Sequence, residues 1–235
     1  MVRGRPPDRA PGLSPIWARN SPSALIWVYV YGVNYARIST MSTSKKRRYH
    51  HGDLRPALIA AAMALVEESG VGAVSLRETA RRVGVSAPAT YRHFSSKDSL
   101  LAAVAAEGFR DLGAALAAAA RSERDPLSAM GVAYVRFALT RRGVFRLMFG
   151  PETAKRADYP ELKSAADQAF QWLKGGVQGK GRAAQESNLA AIAAWALVHG
   201  LAQLFLDGVL PETQAEAITA AITSPPGRAV SDAKP

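Results

Sequence analysis

The chain has 235 residues and no cysteine. That absence excludes disulfide frameworks, cysteine-ligated zinc, iron–sulfur clusters and cysteine nucleophiles, and it fits a reducing cytoplasm. Histidine is scarce: His50 and His51 are adjacent, while His93 and His199 stand far from them and from each other. None has metal-ligand spacing. A Gly-rich phosphate loop closed by Lys-Ser/Thr, an HExxH word and a GxSxG word are all missing, and each would carry a specific chemistry. No catalytic residue, metal or cofactor is therefore expected, and the chain does not read as an enzyme. No apolar run approaches the ~20 residues that span a bilayer, so no membrane partner is expected. Acidic side chains are also in deficit, with 19 Asp+Glu against 30 Lys+Arg and a net charge of +11.

What is present reads as a globular protein: 48% apolar and 21% charged residues, enough chain to bury a core without staples. The positive balance favours a polyanionic partner. Its distribution is uneven. Residues 1–40 carry +4, residues 41–100 carry +5, and residues 101–235 only +2. A basic first part and a nearly neutral, Ala-rich body imply two different tasks.

Residues 1–51 do not read as a domain. They open on MVRGRPPDRAPGLSP, whose Pro, Gly and Arg favour an extended or disordered chain. The apolar stretch 24–33, ALIWVYVYGV, is too short to span a membrane, and no small-residue cleavage site follows it. A start at Met41 would make the first forty residues an over-extension. The run Lys45-Lys46-Arg47-Arg48 is a basic arm suited to nonspecific attraction of a phosphate backbone.

From Asp53 the pattern is helical. Asp53 is a candidate cap with Pro56 in the first turn, and Leu54, Leu58, Ala61, Ala62, Leu65 and Val66 share one face until Gly70. Ser75-Leu76-Arg77-Glu78 has the form of a capping box and opens a helix to Val83, followed by the turn at Gly84. Ser86 caps a third, short helix running to about Phe94, with Pro88 in its first turn. Two short helices joined at a glycine form a helix-turn-helix pattern, whose second helix is shaped to enter the major groove.

Residues 52–112 resemble the DNA-binding domain of TetR-type transcriptional regulators. The matching words are VEESG, SLRETARRVGVS and TYRHFSSKDSLLAAV, with Tyr91, His93, Phe94, Lys97, Leu100 and Leu101 at the family's spacing. The resemblance implies an all-α protein: a three-helix head with its helix-turn-helix over residues 75–94, and a helical body, residues 113–223, that binds a small ligand and dimerises. It places Tyr91 and Lys97 on DNA phosphates, contacts that set register rather than sequence. Ser75 would meet phosphate at a helix start. Arg77, Ala87, Pro88 and Arg92 would face bases, arginine being the side chain suited to a bidentate guanine contact. His93 would lie near the backbone, with Phe94 as the plug behind the recognition helix. Two positions depart from the family pattern. Ala89 has no hydroxyl to offer a phosphate, and Thr90 puts a polar atom at a core position.

Further helices are expected over about 97–121, 126–141, 143–149, 160–174 and 186–206, with a last one after Pro211, a loop at GGVQGKGR (175–182), and a disordered tail over 224–235. FRLMFGP and Trp195-x-x-x-His199-Gly200 resemble a C-terminal subgroup of the same family in which Trp, His and Gly recur together. Phe145, Phe149, Trp172, Trp195 and His199 are the candidate ligand-pocket residues, with Phe205 as a further aromatic; the same spacing also describes plain core. The apolar last helices suit a four-helix dimer interface.

The expected function is that of a cytoplasmic, homodimeric, sequence-specific transcriptional regulator: a repressor released from double-stranded operator DNA by an unidentified small-molecule effector. The rival readings are a nonspecific or architectural DNA-binding protein without a ligand, which the nearly neutral body argues against, and a membrane-surface protein resting on residues 24–33.

Overall fold

The computed structural model describes residues 54–121, 125–177 and 184–224, all within one compact unit, Tyr49–Pro235. The stretch 24–33, Met41, the 45–48 arm, the Asp53 cap, the far end of the 175–182 segment and the tail from 225 lie outside the described residues. Among the described residues all regular structure is helical.

The head is built from three helices. α1, Leu54–Ser69, buries Leu54, Leu58, Ile59, Ala62, Leu65 and Val66. It ends where Gly70 takes a φ of 77°, its N–H bonded to the Val66 carbonyl. α2, Leu76–Val83, starts at Ser75, whose hydroxyl accepts the Glu78 N–H at 3.1 Å. The reciprocal half of the expected capping box does not form. The Glu78 carboxylate is taken by Arg81 and Arg82, because charge-assisted bonds to guanidinium outcompete one neutral backbone N–H. Gly84 closes α2 in the left-handed region at φ 76°, and the Val85 N–H returns to the Ala80 carbonyl, as a helix C-terminus needs to satisfy its last carbonyls. α3, Ala87–Tyr91, is shorter than expected: the His93 and Phe94 N–H groups both fold back on the Thr90 carbonyl. Ser86 precedes α3 without a side-chain cap bond.

The body surrounds α4, Lys97–Ala119, which begins at a Ser96–Ser99 capping box and packs against α1 and the helices that follow. α5, Pro126–Thr140, is capped by the Asp125 carboxylate on the Ser128 N–H. α6, Arg142–Phe149, crosses α4 at Gly108, where a Cβ would stand 2.6 Å from a Val144 methyl and 2.7 Å from the Met148 sulfur. α7, Pro160–Val177, runs along α4 and continues through Gly175 to Val177. The expected loop at 175–182 is corrected there: ongoing packing of Leu173 and Gly176 on the core outweighs the low helix propensity of two glycines. α8, Ala184–Leu206, and α9, Ala215–Thr223, complete the body, with α9 laid on α5.

Against the expectation that no apolar run approaches a membrane span, α8 carries one. Residues 186–206 in α8 are long and apolar enough, at a mean hydropathy of 1.8, to pass for a membrane span. Ala191, Val198, Ala202 and Phe205 are buried in the body, whereas Leu189, Ile192, Leu197 and Leu204 are exposed. A helix apolar on all sides needs cover on all sides, and the described residues cover one.

Candidate functional site

Two places in the fold carry candidate chemistry: the helix-turn-helix face and a cavity in the body.

On the face, Leu76, Thr79 and Ala80 of α2 and Thr90 of α3 point inward with Phe94, while Arg77, Arg81 and Arg82 of α2 and Tyr91 of α3 are exposed. Ser75, Arg77, Pro88, Arg92 and His93 are exposed, Ala87 and Lys97 half-buried. Tyr91 is 54% exposed, so it is a surface aromatic and not part of the core. Lys97 stands at the first position of α4. Arg81 and Arg82 are already occupied. Arg81 forms a two-bond fork with Glu78 at 2.7 and 2.8 Å, and Arg82 reaches Glu68 at 2.7 Å. The two guanidiniums hold the Glu78 carboxyl down to about 2. Arg77 and Arg92 have no acidic partner within 4 Å among the described residues. They are the head's available forks for a base edge or a phosphate. Behind the face, the Arg55 guanidinium lies 5.4 Å from the Phe94 ring centre and pairs with Glu161 of α7.

The cavity has a volume of about 230 Å³. α4 supplies Phe109, Leu112 and Leu116, α6 supplies Phe149, and Phe170 of α7 and Trp195 of α8 complete the aromatic wall. Of the pocket residues expected from sequence, Phe149 and Trp195 form wall. Phe145 and His199 stand behind the wall: Phe145 is fully buried and stacks on His199 with ring centres 5.5 Å apart. Trp172 is 42% exposed on α7 and does not line the cavity. Phe205 is core.

Three polar wall residues escaped the sequence reading: Tyr134, Arg156 and Asp167. Tyr134 is 1% exposed. Its hydroxyl accepts from the Trp195 indole N–H at 3.1 Å and lies 2.9 Å from His199 Nδ1. Tyr134 has one proton to give, so every group is used when that proton goes to an unprotonated Nδ1 and His199 is neutral. Burial acts in the same direction, lowering the His199 pKa and raising that of Tyr134. Arg156 donates to the Met148 carbonyl at 2.7 Å, and its guanidinium lies 5.0 Å from the Phe109 ring centre and 5.6 Å from that of Phe149. Burial lowers its pKa, an effect opposed by Tyr134 and Asp167. Asp167 turns to Lys163, 2.6 Å away. The signal for Arg156 was hidden because it lies on a short 3₁₀ turn, Arg156–Asp158, with no periodicity of its own.

Cavity and head are joined by two helices. α4 runs from Lys97 at the head to Leu116 in the cavity wall. α6 carries Phe149 at its cavity end. At its other end the Gly143 and Val144 N–H groups donate to the Glu67 carboxylate of α1 at 2.9 and 3.4 Å. Glu67 also accepts from Arg141 at 3.1 Å. A helix N-terminus favours such an anion.

Comparison with known proteins agrees on the kind of molecule. The family described as bacterial regulatory proteins, tetR family, matches residues 58–104, and the tetracyclin repressor-like C-terminal domain matches residues 127–224. A solved protein of unknown function from Rhodococcus sp. RHA1 is 33% identical, with a TM-score of 0.65 over 76% of this chain and 95% of that one. A TetR transcriptional regulator from the same organism is 22% identical, with a TM-score of 0.56 over 73% and 94%. The TetR family regulator PfmR from Thermus thermophilus is 19% identical, with a TM-score of 0.50 over 71% and 94%; these last two likenesses concern the fold alone. No curated protein matches.

Proposed function

We propose a mechanism from the premise that this chain belongs to the TetR family of transcriptional regulators. It is a sequence-specific DNA-binding regulator, and ligand-responsive repression is the usual mode of the family. Here the head would dock α3 in the major groove. Tyr91, Ser75, His93 and Lys97 would hold phosphates, and Arg77 and Arg92, with Ala87 and Pro88 beside them, would face base edges. The observation that carries the assignment is the division of labour among the head's arginines: Arg81 and Arg82 are neutralised within the head, while Arg77 and Arg92 are not.

The dimer would form through α7 and α8. Leu189, Ile192, Leu197 and Leu204 are exposed on α8, and Trp172 on α7. Gly200 supports this. It stands exposed in mid-helix, and among the described residues no other element comes within 4 Å of where its Cβ would be. A glycine there weakens the helix by about 1 kcal/mol relative to alanine, and a close second helix would explain it. The Trp195, His199 and Gly200 set supports placement in the subgroup where those residues recur.

The cavity would be the effector site, and release a population shift. An effector that prefers one spacing of the two heads moves the equilibrium by its difference in affinity between the states, and by no more. Its signal would travel through Phe149 and α6 to Glu67, and along α4 to Lys97. The regulator would act in the cytoplasm on a near-palindromic operator with half-sites one or more helical turns apart.

The test is binding of the full chain to DNA flanking its own gene, with excess nonspecific competitor at two salt concentrations, followed by a scan of the genome's near-palindromes. Competitor-resistant binding to a two-fold site is expected. Binding that competitor abolishes on every fragment would instead support the nonspecific reading.

A further inference from the structure

The charge pattern of the cavity says what kind of effector it takes, granted that the cavity is the effector site. Its lining contains two formal charges, Arg156 and Asp167. They are not equivalent. Asp167 is 2.6 Å from Lys163, and both side chains are 60% exposed, so its charge is met at the solvent edge. Arg156 is half-buried, and no carboxylate lies within 4 Å of it among the described residues. Its hydrogen bond goes to a backbone carbonyl, Met148 at the end of α6. That bond and Thr153, which donates to the Leu147 and Met148 carbonyls, close the helix terminus and hold the guanidinium in place. A fork with five donors, partly desolvated and without an anion, is a standing demand for one.

A cation is disfavoured by the same geometry. The ring faces that would receive it, Phe109 and Phe149, already carry the Arg156 guanidinium at 5.0 and 5.6 Å. A second cation would meet like charge. The rest of the wall is apolar or aromatic, and Tyr134, its deepest polar group, is already bonded to Trp195 and His199. A polyol or nucleotide would find few partners there. The volume, about 230 Å³, lies below the roughly 300–1,000 Å³ of drug-sized sites, which limits the body of the ligand to one or two rings or a short alkyl chain.

From these observations we infer that the effector is a small apolar monocarboxylate, its ring or chain packed among Phe109, Phe149, Phe170 and Trp195 and its carboxylate paired with the Arg156 guanidinium. The pairing would be bidentate where the bond to Met148 leaves two N–H groups free. Because the same guanidinium terminates α6, the carboxylate would bind at the end of the helix whose other end is held by Glu67 of the head.

The test uses the full chain and matched probes that differ only in the head group: 1-naphthylacetate, 4-tert-butylbenzoate, phenylacetate and octanoate, each beside its primary amide and its amine analogue, titrated by calorimetry. The acid of at least one pair is expected to bind at least roughly tenfold tighter than its amide, the ratio equivalent to 1.4 kcal/mol, and the amine weakest. Arg156→Gln should erase the acid–amide difference, and Arg156→Lys should keep part of it. The amide's own affinity for Arg156→Gln reports whether the cavity is intact in that variant. Amides binding as well as acids, or amines binding best, would overturn the carboxylate inference and leave the cavity as an effector site. If acid, amide and amine of every pair fail to bind, the effector-site reading fails and takes the inference with it. A preference for acids that survives Arg156→Gln would place the carboxylate elsewhere and also overturn it.

Discussion

The Glu67 carboxylate accepts the Gly143 backbone N–H at 2.9 Å, joining the last turn of α1 to the first turn of α6. The two backbones are so close that a Cβ on Gly143 would stand 2.5 Å from the Val66 carbonyl oxygen. Backbone cannot swing aside as a side chain does, so Gly143→Ala must separate head from body. A loss of about 1–3 kcal/mol in urea unfolding is expected, the usual range for overpacking. Glu67→Gln keeps the shape and removes the charge. It should leave operator affinity nearly unchanged and shrink the effector's effect on that affinity, within the ~1–3 kcal/mol typical of allosteric coupling. Operator titrations with and without effector would show it, and an undiminished effector response would exclude this route.

Thr90 is fully buried and its hydroxyl has no partner among the described residues. Thr90→Val removes the orphan oxygen at similar shape. Leaving a buried polar group unsatisfied costs ~1–3 kcal/mol, so this variant should be more stable by about 1 kcal/mol in urea. Its DNA affinity should be retained, since the side chain points away from the exposed face.

Stability should fall as the pH drops through the range where histidine titrates. Burial lowers the folded-state pKa of His199 below its ordinary 6.5, so the unfolded chain binds the proton first. The contribution is fully present above pH 6.5 and is lost as the pH falls toward the folded value. Every other side chain is common to the two proteins, so the difference between wild type and His199→Gln isolates this residue. His199→Gln should show a flatter pH profile between 7 and 5. An equal slope would mean that folding does not shift the His199 pKa.

Leu197→Glu places a charge on the exposed apolar side of α8, where Leu197 is 42% exposed in the single chain. The variant should fold with little change in helix content and elute as a monomer in light-scattering chromatography. Operator binding should then weaken, because two linked heads become one. A dimer that persists would move the interface elsewhere.

On the DNA face, Lys97→Ala should lower the slope of log K against log salt by about 0.9, one phosphate contact. Arg92→Ala should instead reduce discrimination among operator variants by ~1–3 kcal/mol at the base it reads. Arg81→Ala should do neither, since Glu78 already holds that side chain.

The order of the helices is legible in the residues alone, because local signals suffice for that. The Ser75 cap, the left-handed turn at Gly84, the Asp125-Pro126 start and the stop at Gly70 each act within a few residues. Also legible are the helix-turn-helix positions that face outward, since a three-helix head can bury only one side of each helix. Other features depend on partners far along the chain and emerge when the helices pack. Periodicity marks Phe145, Phe149, Trp172, Trp195 and His199 alike as aromatic or polar points on helices. Whether each is wall, core or surface is set by which helix lies opposite. The membrane-like apolarity of α8 has the same origin: its sequence is consistent with burial on every side, and the described residues cover one. Arg156 is the clearest case. Nothing in its short turn distinguishes it from its basic neighbours Lys155 and Arg146. It becomes the cavity's unpaired charge because the end of α6 and the ring of Phe109 on α4, remote in sequence, converge on it.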